Sequence, residues 1–139
     1  MSDELHKKLG LRPDSAGLVI APPPDDDNPL LPLPESFTVL AGLDELEQAP
    51  GPFDYIQVFA RDRGELVAAF TQLRDRLAPN GMLWISWLKQ SSDRRSGSMM
   101  GDLNENVIRR MALTHALVDV KVAALDRDWS GLKLVHRKH

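Results

Sequence analysis

The chain has 139 residues, 42% of them apolar, and a net charge of -3. That is the size and balance of one globular domain, without the clustered positive charge that holds nucleic acid or anionic lipid. It has no cysteine, which excludes disulfides, thiolate metal sites and cysteine nucleophiles. No run approaches the roughly 18 apolar residues of a membrane helix, and Ser2-Asp3-Glu4 is unlike a signal sequence, so a soluble cytoplasmic protein is expected.

Residues 3–9 read as a short helix with Leu5 and Leu9 on one face, acids first, lysines last and Gly10 as its stop. Leu18-Val19-Ile20-Ala21 lies in the first buried strand, over 17–21. Residues 22–36 hold six prolines and are expected to be an extended crossover loop. Phe37-Thr38-Val39-Leu40 is the second strand. A parallel crossover is usually helical. Here the loop is expected to cover that sheet face, leaving apolar surface near Leu30, Leu31, Leu33 and Phe37 that a second copy of the chain could bury, hence an expected homodimer.

Leu43–Gln48 adds a helical turn or two, stopped by Pro50-Gly51-Pro52. Residues 53–60 form a third strand, apolar on both sides as a central parallel strand must be. A helix over 63–77 carries Leu66, Phe70, Leu73 and Leu77 at helical spacing. The Pro79-Asn80-Gly81 turn leads to a fourth strand at 82–88, in which Trp84 and Trp87 face opposite sides. Residues 89–101 are a polar loop expected to be mobile. A helix over 103–117 opens on Asp102 and Glu105, which fit a capping box. Strands at 119–125 and 132–137 are too close for a crossover and form an antiparallel hairpin. The expected fold is a single Rossmann-like α/β domain over 1–139, a mostly parallel sheet of order 2-1-3-4-6-5 with a C-terminal antiparallel hairpin.

In nucleotide-binding domains of this class, a glycine-rich turn and a helix N-terminus follow the first strand and hold the phosphate or cofactor. Here Pro22-Pro23-Pro24-Asp25-Asp26-Asp27 follows. Proline offers no N–H, and three aspartates repel an anion.

The element order resembles the second half of a class I S-adenosylmethionine methyltransferase, carried by Phe53-Asp54-Tyr55 and Leu77-Ala78-Pro79-Asn80-Gly81. A closer resemblance is to a small bacterial family of unknown function, itself like a truncated methyltransferase. It rests on Trp87-Leu88-Lys89, Asp102-Leu103-Asn104-Glu105, residues 117–122 and Trp129-Ser130-Gly131-Leu132-Lys133, and departs at Leu88, where the family pattern has proline. The resemblance implies the fold and no activity. The methyltransferase cofactor residues do not carry over: the glycine turn is replaced, and Asp44, nearest to the acid expected at the end of strand two, lies past Gly42. No cofactor is expected.

Ligands of open α/β sheets bind beyond the carboxyl ends of the parallel strands. Lys89, Asp102, Trp129, Ser130 and Lys133 fall at that edge in this reading. Lys89 and Ser130 are expected two strand spacings apart, roughly 10 Å. Together they offer an ammonium, a hydroxyl, an aromatic face and a helix N-terminus, a set that suits a small anionic ligand. The same residues also have a local reading: Lys89 bonding loop carbonyls, Trp129 plugging the hairpin end and Gly131 supplying a turn. The four histidines are scattered, Asp25–Asp27 read as solvated, and no metal site is expected. The basic tail Lys133, His136, Arg137, Lys138, His139 reads as a solvated strand end. No catalytic set is present. A non-catalytic binding or interaction domain is the leading reading, and a divergent enzyme or small-anion sensor using the Lys89/Trp129/Ser130 edge is the alternative.

Overall fold

The computed structural model describes residues 2–89 and 103–138. Its elements in chain order are α1 (Ser2–Leu9), β1 (Gly17–Ile20), a 3-10 turn (Asp25–Asp27), β2 (Phe37–Leu40), a second 3-10 segment (Leu43–Gln48), β3 (Phe53–Phe59), α2 (Arg63–Asp75), β4 (Leu77–Leu88), α3 (Glu105–Leu113), β5 (Leu117–Ala124) and β6 (Trp129–His136). They build one six-stranded sheet of order β2-β1-β3-β4-β6-β5. β2, β1, β3 and β4 pair in parallel, and β6 is antiparallel to both its neighbours. The fold is the expected Rossmann-like α/β domain.

Each sheet face has its own core. On one, Ile20, Ile56, Val58, Ile85, Trp87 and Leu132 pack under Leu66, Phe70 and Leu73 of α2 and Ile108 and Ala112 of α3. On the other, Val19, Tyr55, Phe59, Trp84, Leu88 and Trp129 pack under Leu9, Leu11 and Leu30. Trp84 and Trp87 do take opposite faces. The second face is roofed by α1 and by the proline-rich crossover in place of a crossover helix. Polar bonds pin this roof: Trp84 Nε1 donates to the Leu9 carbonyl (2.7 Å), His6 Nε2 to the Leu30 carbonyl (2.6 Å) and Lys8 Nζ to the Ala124 carbonyl (2.9 Å). The crossover buries Leu30 completely, and Leu33 and Phe37 pack partly buried against the same core.

Several element boundaries differ from expectation. β1 ends at Ile20 because Ala21 turns into the left-handed region (φ 57°), and α3 ends at Leu113, with Ala116 in the same region (φ 62°) before β5. Val118 is therefore a strand residue. The N-cap of α3 is Asn104, whose side chain accepts from Val107 N (3.0 Å), rather than Asp102. Leu103 and Ile108 flank that cap inside one core, as in a hydrophobic staple. α2 ends at Asp75, and β4 begins at Leu77, opposite Phe53, before its register jumps to Tyr55–Met82. Asp126 Oδ1 accepts from the N–H groups of Asp128 and Trp129 (both 2.8 Å), tightening the hairpin turn so that β6 starts at Trp129 rather than Leu132.

If the crossover is the roof, Leu30→Ala is expected to destabilise the domain by about 2–5 kcal/mol, the usual cost of truncating a buried leucine. Urea denaturation measures it, with the half-exposed Leu31→Ala expected to cost clearly less.

Candidate functional site

The strand order reverses at β1, which pairs β2 on one side and β3 on the other. The crevice beyond the carboxyl ends of β1 and β3 is thus the topological switch point where open α/β sheets bind ligands. Two features converge there. Ala21, a non-glycine residue in the left-handed region, closes β1, a backbone conformation often found at functional sites. Arg61, two residues past the end of β3, reaches across: its Nη1 donates to the carbonyls of Ala21 (2.7 Å) and Phe59 (3.1 Å). Its guanidinium also lies over the Trp129 ring, 5.2 Å from the centroid, and Phe59 meets that ring edge-on at 5.0 Å. Partial burial draws the Arg61 pKa down, nearby Glu65 opposes the shift, and the group stays cationic.

Lys89 and Trp129 are brought to one turn. Lys89 N donates to the Asp128 carbonyl and Lys89 Nζ to the Asp126 carbonyl (2.8 and 2.7 Å). Trp129, opposite Leu88, is buried in the core of the α1 face. Ser130 and Lys133 are not brought to the same place. β6 pairs β4 directly, so Ser130 stands opposite Trp87, one strand spacing away rather than two. It alternates with Trp129 onto the other face of the sheet, where Leu132 and Leu134 pack. Lys133 stands opposite Trp84 in mid-strand, away from the edge. Gly131 is no turn residue: it lies opposite Ser86, where a Cβ would come within 3.0 Å of Ser86 Oγ and 3.1 Å of the Trp84 ring. Asp102 and the 90–101 part of the loop expected to be mobile lie outside the described residues.

Sequence reasoning passed over Arg61 and a buried polar chain behind it. Tyr55 donates through its hydroxyl to Gln57 Oε1 (3.0 Å), and Gln57 Nε2 donates to Ser86 Oγ. Burial pushes the Tyr55 phenol pKa far up, so it stays a neutral donor. The signal was present in two polar residues, Gln57 and Ser86, inside otherwise apolar strands. His115 is packed: Nδ1 lies 2.8 Å from the Met111 carbonyl, and the ring is 4.8 Å from that of Phe70. Among the described residues no three His, Asp or Glu side chains form a metal-binding group, and no helix is long and apolar enough to cross a membrane.

Solved methyltransferase structures share this architecture. One from Aquifex aeolicus, an S-adenosylmethionine-dependent methyltransferase, superimposes with a TM-score of 0.64 at 12% identity over 96% of this chain and 88% of its own. The Burkholderia thailandensis 1,6-didemethyltoxoflavin-N1-methyltransferase, solved with S-adenosylhomocysteine, gives 0.63 at 14% identity over 99% and 76%. A ribosomal protein methylase from Lactobacillus delbrueckii subsp. bulgaricus gives 0.63 at 11% over 99% and 77%. No protein-family model and no curated protein sequence matches the chain. At these identities the likeness establishes the fold: a Rossmann-like, methyltransferase-like domain.

Because Lys89 ties β4 to the β5–β6 turn, Lys89→Ala is expected to lower stability by about 1–3 kcal/mol, the loss of a charge-assisted bond to a half-buried carbonyl. Chemical denaturation checks the magnitude, and faster amide exchange confined to the turn around Trp129 checks the mechanism.

Proposed function

We propose that this chain is a non-catalytic binding or interaction domain on a methyltransferase-like scaffold, and that it does not use S-adenosylmethionine. The observation that carries the reading is Arg61 bonded across the switch point to the Ala21 carbonyl, with Pro22-Pro23-Pro24 leaving β1 immediately afterwards. A dinucleotide- or adenosyl-type cofactor needs backbone N–H groups and close backbone approach at that turn. Prolines supply neither, and the 3-10 turn that follows carries three aspartates. A fixed guanidinium also opposes the sulfonium cation of S-adenosylmethionine. Asp44 sits exposed in the 3-10 segment after β2. The residues present do not fit the cofactor.

A second reading, a divergent enzyme or sensor of small anions, is favoured by one observation: Arg61 and Lys89 bring two half-buried cations to the Asp126–Trp129 turn. Self-association is proposed separately, through the outer strands, where Val39 of β2 and Val120 and Val122 of β5 are exposed. The bulge between Asp119 and Lys121 blunts β5, which leaves β2 as the pairing edge.

Isothermal titration of the full chain with S-adenosylmethionine and S-adenosylhomocysteine is expected to show no saturable binding, and a micromolar dissociation constant for either would overturn the leading reading. A thermal-shift screen of small carboxylic acids tests the second: stabilisation lost in Arg61→Ala supports it. Light scattering at tens of micromolar tests self-association, with a monomeric mass counting against it.

A further inference from the structure

The two edges of the sheet differ in charge. The carboxyl edge is mixed but net acidic: Asp25–Asp27 after β1, Asp62 and Glu65 after β3, and Asp126 and Asp128 before β6 stand there with Arg61, Arg63, Lys89 and Arg127. At the amino edge the chain assembles an open cleft of about 600 Å³ where the end of α2, the start of β4, the α3–β5 turn and the end of β6 meet. Arg74, His136, Arg137 and Lys138 line it, and among the described residues Asp75 is its one carboxylate. Asp75 is already paired with Arg74, through Nε at 3.3 Å and Nη2 at 3.2 Å. The Arg137 and Lys138 side chains have no partner among the described residues.

The tail is not a loose strand end. Arg137 N donates to the Ala116 carbonyl (2.9 Å), which continues the β5–β6 pairing past His136. His136 Nε2 donates to the Leu77 carbonyl (3.0 Å) and fixes that ring at the cleft wall. Ala116 lines the same cleft in the left-handed region that side chains avoid. The fold therefore places a cluster of positive charge in a chain whose net charge is negative.

We propose that this amino-edge cleft binds a compact anion of the phosphate type, a phosphate ester or pyrophosphate. The Arg137 guanidinium presents a planar fork that matches paired phosphate oxygens and the Lys138 ammonium adds a point charge, while Arg74, turned toward Asp75 and the His115 carbonyl, stands in the cleft wall. Among the described residues Arg137 and Lys138 are two unpaired cations beside the Arg74–Asp75 pair, a balance that suits a ligand of two or more negative charges. The cleft is open to solvent and would hold a compact ligand from one side, and the net acidic carboxyl edge disfavours a long polyanion wrapping the domain. This site is separate from the switch point and does not depend on the function assigned there.

The test is isothermal titration of the full chain with inorganic pyrophosphate and, separately, with ADP at moderate salt. Saturable one-to-one binding is expected. It is expected to weaken at least about tenfold in the Arg137→Ala/Lys138→Ala variant, the loss of one or more charge-assisted contacts. Both positions are exposed, so the variant's thermal midpoint is expected to match the parent's. Arg63→Ala, an exposed arginine at the far end of α2, is expected to leave the affinity unchanged. Equal affinity for the two probes assigns recognition to the phosphates alone, and tighter ADP binding adds the nucleoside. No saturation by either probe up to about ten millimolar, well above ordinary ligand affinities, would overturn the proposal. So would equal affinity in the double variant, or tighter binding of a single-stranded oligonucleotide than of ADP.

Discussion

From Leu83 to Leu88 every side chain of β4 is buried, three on each face of the sheet. A central strand of this kind cannot be left with one face in water, since its apolar area must be covered on both sides. α2 and α3 cover one face as ordinary amphipathic helices. The other face has no crossover helix between β1 and β2 because six prolines occupy that segment. Its cover is improvised from α1, Leu11 and Leu30, held down by hydrogen bonds from Trp84, His6 and Lys8 to backbone carbonyls. The need to roof the second face thus explains both the short N-terminal helix and the packed course of the proline segment.

The same substitution shapes the carboxyl edge. A glycine turn entering a helix would expose backbone N–H groups at the end of β1. A proline segment exposes carbonyls instead, and the Ala21 carbonyl takes a donor from Arg61. Arg61 in turn lies on Trp129, which the β5–β6 turn delivers to the same corner and Lys89 secures. The edge that holds ligands in related architectures is here bonded largely to itself. The amino edge, by contrast, gathers cations from two segments far apart in sequence, with Arg74 neutralised by an adjacent acid.

The strands were legible because each is a short apolar run bounded by glycine, proline or acids, and Trp84 and Trp87 at a spacing of three announced a strand buried on both faces. The sheet order followed from the connections: four crossovers long enough to be parallel and one, between β5 and β6, too short. The hydrophobic spacing of α2 named its buried face through Leu66, Phe70 and Leu73. The ends of β1 and α3 failed for one cause. Ala21 and Ala116 hold left-handed conformations usually signalled by glycine, and alanine gives no warning of them. Asp102 and Asn104 are both good caps in isolation. Burial of Leu103 and Ile108 on either side of Asn104 decided between them.

The candidate site was legible only in part, for the same physical reason. Sequence alone determined the fold class, the proline run that follows β1 and the strand ends near which Lys89 and Trp129 lie, because these follow from residue type and nearest neighbours. Tertiary structure decided which faces those side chains take. Alternation along β6 separates Ser130 from Trp129, and direct pairing with β4 leaves Lys133 in mid-strand. It also decided that Arg61 bridges two strand ends and that Arg74 joins Arg137 and Lys138 around one cleft. Such contacts join residues 40 or more positions apart, and only the packing of the sheet between them fixes their distance.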